Sequence, residues 1–151
     1  MRPVFTLLMA AAACAVPAEA AERPQLNRLA GPVAAEVLRV VDGDTIEVRA
    51  HIWLGQEVTT LVRLGGVDAP ELKGKCADER AAALRAKTRI EEKLAGGDVT
   101  LRDIKFEKYA GRVMSRIETA GGEDLARSLK ADGFVRAYGG AKRLPWCGTD
   151  G

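Results

Sequence analysis

The chain has 151 residues, 47% of them hydrophobic and 29% charged, with 23 basic and 21 acidic side chains for a net charge of +2. These proportions describe one soluble globular domain with an N-terminal extra, and they exclude a disordered or low-complexity protein. A surplus of two charges is too small to imply a polyanionic partner, so any nucleic-acid function must rest on a site.

Residues 1–20 read as a signal peptide. Arg2 supplies a positive start, Val4 to Val16 is a nearly unbroken apolar run, and Ala18-Glu19-Ala20 has the small-x-small form of a cleavage site. The apolar run is shorter than the about 20 residues a membrane span needs. The expected destination is the periplasm or the extracellular medium, with no stable membrane association after cleavage. Removal of Cys14 leaves Cys76 and Cys147, an even count that in an exported chain favours a disulfide. With one histidine and no Cys-x-x-Cys pair, a zinc site is excluded.

Residues 21–32 are polar and proline-punctuated, a linker to a domain spanning 33–151. Val37, Leu38, Val40 and Val41 predict a first strand ending at Asp42-Gly43. Ile46, Val48, Ala50 and Ile52 alternate with polar residues, the period of a strand with one buried face. A tight turn at Leu54-Gly55-Gln56-Glu57 returns the chain through Val58, Thr60, Val62 and Leu64. With Gly55 and Gln56 as the central pair, paired residue numbers sum to 111 and Asp44 falls opposite Val67, beside Asp68. A single bulge would set the two aspartates face to face, about 5 Å apart.

Asp78 is placed to cap a helix running to Leu94, with Ala83, Ala86 and Ile90 on one face and Gly96-Gly97 as its stop. Val99, Leu101, Ile104 and Phe106 predict a fourth strand, and Val113, Met114 and Ile117 a fifth. A short helix from Glu123 to Asp132 ends at Gly133, followed by a basic, glycine-rich tail to Cys147. The expected fold is mixed α+β and mainly β: a five-stranded OB-fold barrel, with a helix after strand three and a C-terminal helix.

Phosphodiester chemistry needs positive charge on the phosphoryl oxygens and a means of activating water. Asp44 and Asp68 are candidate ligands for a hard cation such as Ca²⁺. Arg63 and Arg112 are candidate phosphate clamps. Glu71, three residues past Asp68, is a candidate general base. Taken singly each has a plainer reading: Asp-Gly-Asp is a common turn, and either arginine could pair with a nearby acid. His51 reads as a surface strand residue, and Trp53 and Trp146 as packing.

Together, Asp-Gly-Asp-Thr (42–45), Arg-Leu-x-x-Val-Asp-x-Pro-Glu (63–71) and Lys-Tyr-x-Gly-Arg (108–112) resemble the staphylococcal nuclease-like family over about residues 36–140. The resemblance implies a Ca²⁺-dependent nuclease of DNA and RNA, acting as a monomer with little sequence specificity. By the same motifs, Asp44, Asp68 and the Ala69 carbonyl would bind metal, with Asp42 in the outer shell. Arg63, Glu71 and Arg112 would be catalytic, and Lys108 and Tyr109 would touch a substrate phosphate. The chain departs from the pattern at Ala69, where threonine is usual, at Glu107, where aspartate is usual, and in an extra residue before Gly111. The competing expectations are an OB-type nucleic-acid-binding module without catalysis and a structural Ca²⁺-binding domain.

Overall fold

The computed structural model describes residues 27–107 and 111–148. The predicted signal peptide and the first half of the linker (21–26) lie outside them, as do Lys108 and Tyr109. The elements in chain order are β1 (Arg28–Leu29), β2 (Val33–Val40), β3 (Thr45–Trp53), β4 (Gln56–Leu64), β5 (Val67–Asp68), α1 (Ala77–Lys93), β6 (Asp98–Phe106), β7 (Arg112–Thr119), α2 (Leu125–Ala131) and β8 (Arg136–Ala137).

Strand pairing closes a barrel. β2 pairs antiparallel with β3, β3 with β4, β4 runs parallel to β7, and antiparallel β7–β6 and β6–β2 contacts complete the circuit. Closure removes the exposed edges that an open five-stranded sheet would present. Its interior is filled by the alternating residues of each strand: Ile46 and Val48 from β3, Val62 and Leu64 from β4, Leu101 from β6 and Ile117 from β7, all at most 1% exposed. This is the OB-type architecture, with α1 inserted between the third and fourth barrel strands and α2 following the fifth.

The helices cover the barrel with the faces their spacing dictates. Ala83, Ala86 and Ile90 of α1 are buried, as are Leu125 and Leu129 of α2. The α2 start is capped by Asp124, whose side chain accepts from Arg127 N, satisfying one of the orphan amides of the first turn. For α1 the cap is Cys76 rather than Asp78, and its side chain makes no cap hydrogen bond. Asp78 instead lies in the first turn, where a negative charge complements the helix dipole.

The hairpin β3–β4 differs from the predicted register. Its turn is Leu54-Gly55, closed by the pair Trp53↔Gln56, and Gly55 takes the second central position with φ +69°. A left-handed backbone there suits glycine, which has no Cβ to clash. An irregularity between His51 and Trp53 shifts the pairing once more, so the long run pairs residues such as Thr45 and Arg63, whose numbers sum to 108. The three-residue difference places Asp44 against Leu64, whose N–H donates to the Asp44 carbonyl at 2.7 Å. The predicted meeting of Asp44 with Val67 therefore does not form. The tip of this hairpin is apolar and exposed, with Trp53 at 76% and Leu54 at 89%, so Trp53 is not a packing residue.

A disulfide joins Cys76 to Cys147 across 71 positions. It brings the C-terminal tail back to the loop before α1. The same segment pairs β8 with β5, setting Arg136 opposite Asp68.

Candidate functional site

A cleft of about 720 Å³ opens at one end of the barrel. Its walls come from the β2–β3 loop (Asp42, Asp44), the end of β4 (Arg63), the segment after β5 (Ala69 to Lys73), the β6–β7 connection (Phe106, Glu107, Arg112) and the tail (Tyr138, Arg143). In OB-type barrels the loops joining strands one to two and four to five flank the ligand face. Here both loops contribute.

Asp44 is built into the β2–β3 turn. Its N–H donates to Asp42 Oδ1 at 3.0 Å, and the Thr45 hydroxyl donates to Asp44 Oδ1 at 2.9 Å. Its other oxygen takes a 2.6 Å hydrogen bond from Arg63 Nη2, and both side chains of this pair are 9% exposed. Burial pushes the Asp44 carboxyl up to about 6. Arg63 opposes that rise, and Asp42 adds to it. Arg63 Nε also lies 3.9 Å from Glu107 Oε1, and Arg112 Nε pairs with the other oxygen of Glu107. Asp44, Arg63, Glu107 and Arg112 thus alternate in sign along one wall.

Asp68 has a different environment. It is 4% exposed and does not line the cleft. Trp146 Nε1 donates to its Oδ2 at 3.0 Å, and Arg143 Nε pairs with its Oδ1. Arg143 Nη1 pairs with Glu71, which is exposed. Burial would lower the Arg143 pKa, but the Asp68 and Glu71 carboxylates outweigh it and raise the value. The Trp146 ring packs under Arg136, whose guanidinium carbon sits 3.7 Å from the ring centroid.

The expectation of a Ca²⁺-dependent phosphodiesterase is corrected by this arrangement. A hard cation of this kind takes six to eight oxygen ligands around one point. Among the described residues, the one set of three His, Cys, Asp or Glu donors within 4.8 Å of one another is Cys76, Glu79 and Cys147. Its two sulfurs are joined to each other in the disulfide, so they offer no thiolate, and soft sulfur would not suit Ca²⁺. Asp44 and Asp68 are instead held by different arginines. The hairpin register sets Asp44 against Leu64 rather than Val67, and Asp44 takes Arg63 while Asp68 takes Arg143. The calcium cofactor, the metal-dependent hydrolase and the nuclease activity implied by the motif resemblance are not carried by this geometry.

Of the other predicted site residues, Asp42, Ala69, Glu71, Arg63 and Arg112 all line the cleft. Ala69 is 3% exposed on its wall. Sequence reasoning missed Arg143 and the partnership of Trp146 with Asp68. The expected disulfide between Cys76 and Cys147, which the structure forms, was the signal that the tail returns to the body; the tail's contacts with Asp68 had no local signal. Compared with models of known protein families, the chain matches none, and no curated protein matches it either.

Proposed function

We propose that the chain is an exported OB-fold binding module that holds single-stranded DNA and RNA through their phosphates without cleaving them. In this reading it is a staphylococcal nuclease-like domain by descent and acts as a monomer. The observation that carries the reading is the convergence of Arg63, Arg112 and Arg143 on one cleft between the two ligand-flanking loops of the barrel. A guanidinium presents five donors in a rigid fork, a shape that matches a phosphate as well as it matches a carboxylate. The three guanidiniums already hold carboxylates at Asp44, Glu107, Asp68 and Glu71, so their side chains are oriented before a ligand arrives. Phe106, 73% exposed, and Tyr138 line the same cleft and offer ring faces on which a base can stack. Lys108 and Tyr109, outside the described residues, are assigned to phosphate contact by their motif alone. Export is supported by the N-terminal pattern of residues 1–20 and by a disulfide that persists in an oxidising compartment.

The test is fluorescence anisotropy of a labelled single-stranded oligonucleotide with the purified chain, across salt concentration, with and without chelator. Binding that weakens steeply with salt, is unchanged by chelator, and leaves the oligonucleotide intact supports the reading. Cleavage that chelator abolishes would overturn it. Arg112→Ala is expected to weaken binding about tenfold, on the scale of one lost charged hydrogen-bond partner.

A further inference from the structure

A second cleft of about 380 Å³ lies beside the first, and Met114 lines both. Its charged lining residues are Arg28, Lys105, Arg116, Arg127 and Lys130 against Asp103 and Asp124, a local balance of five minus two, or +3. Both acids already have work. Asp103 pairs with Arg116 at 3.6 Å, and Asp124 caps α2. Among the described residues, the side chains of Arg28, Lys105, Arg127 and Lys130 have no hydrogen bond or ion pair, and all four residues are exposed. Elsewhere on this barrel arginines of the strands face acids, as Arg39 faces Glu47 and Arg102 faces Glu118. Four uncompensated cations are gathered here.

Their placement is electrostatically unfavourable without a ligand. Arg28 and Lys105 are direct partners in the β1–β6 ladder, and like charges directly opposite each other destabilise a sheet. Arg127 and Lys130, three apart on α2, share one helix face. The pairing register also links the two clefts. Lys105 is opposite Met114 on β7, and Met114 is opposite Arg63 on β4. One row across the sheet therefore runs Arg28, Lys105, Met114, Arg63. At about 4.8 Å per strand it spans about 14 Å, several nucleotides of a stacked strand at about 3.4 Å each.

We propose that this second cleft is a phosphate-backbone site, which receives the continuation of a single strand whose other part lies in the arginine-lined cleft. Met114 is the apolar saddle between the two. The inference rests on the function proposed above and adds the path and length of the ligand. Several separated, flexible cations suit successive phosphates of one strand better than a single anion, and lysine serves as a point charge on such a backbone.

The experiment compares the full chain with Arg127→Ala/Lys130→Ala, both exposed helix positions, after thermal melts confirm that the variant folds as the parent does. Each binds a strand of about sixteen nucleotides and one of about four, the two ends of the range one OB-fold covers. The double variant is expected to weaken the long strand about tenfold and to make its log–log salt slope shallower by about 1.4. The short strand, which the arginine cleft holds alone, should bind unchanged. Equal affinity and equal slope for the long strand in parent and variant would overturn the second site while leaving the proposed function standing. Failure of the parent chain to bind either strand would instead overturn the proposed function, and this inference with it.

Discussion

Arg63 Nη2 lies 2.6 Å from Asp44 Oδ2, and the two side chains are each 9% exposed. A pair this buried does not behave as a surface salt bridge. Its desolvation cost is already met in the native state, so removing one partner strands a charge in low dielectric.

Arg63→Ala is therefore expected to lose about 3–5 kcal/mol of stability. Replacing both partners, as in Asp44→Leu/Arg63→Met, should lose much less, because no charge is left unpaired. Urea unfolding of the two single variants and the double variant measures the coupling directly. A loss below about 1 kcal/mol for Arg63→Ala would place the pair in the surface class instead.

The titration of Asp44 follows from the same contacts. Its folded carboxyl is raised to about 6 from 3.8, so between those values the folded chain binds more protons than the unfolded one. The sign is then fixed: stability from this group is fully present below about pH 3.8 and is lost as pH rises through about 6. Asp44→Asn removes that slope. The stability of the parent relative to Asp44→Asn should therefore fall between pH 4 and pH 7. Carboxyl NMR should show the Asp44 midpoint moving further up in Arg63→Ala and down in Asp42→Asn, since Arg63 lowers it and Asp42 raises it.

Much of the barrel is legible in the sequence, because burial of one strand face imposes a period of two that composition displays directly. Ile46, Val48, Val62 and Leu64 all sit in the core, and Asp44, Arg63 and Arg112 converge as residues at strand ends do. What decides between a metal centre and an arginine-lined cleft is finer than that pattern. The hairpin register depends on which central position Gly55 takes and on one irregularity near Ile52, neither of which alters the alternation. The partners of Asp68 lie 75 or more positions away in Arg143 and Trp146, and no local periodicity encodes a contact of that range. A motif that lists two aspartates and two arginines says that they meet. It does not say which acid each arginine takes.

Glu79 anchors the loop that carries Glu71 into the cleft. It is 8% exposed and accepts from Glu71 N at 3.3 Å and Lys75 N at 3.0 Å. A Cβ at Gly74 would lie 2.5 Å from Glu79 Cδ, closer than any real contact, so in Gly74→Ala the loop or the Glu79 side chain that holds both amides must shift. The expected loss is about 1–3 kcal/mol from overpacking. Hydrogen exchange at the Glu71 and Lys75 amides should rise in the variant, and unchanged protection there would show that Glu79 adapts without leaving them.

The Cys76–Cys147 bond closes a loop of 71 positions, and the chain-entropy model assigns such a closure about 4 kcal/mol. Reduction, or the Cys147→Ser variant, should lower the melting temperature accordingly. It should also loosen the attachment of Trp146, whose indole otherwise donates to buried Asp68 and packs under Arg136. The chain has two tryptophans, and Trp53 is already 76% exposed, so Trp53→Phe leaves Trp146 as the reporter. Its emission should move to longer wavelength on reduction as the ring gains water. If the emission holds steady while the melting temperature falls, the hydrogen bond to Asp68 and the stack under Arg136 fix the tail without the disulfide. The covalent link then stabilises the chain through its unfolded state alone.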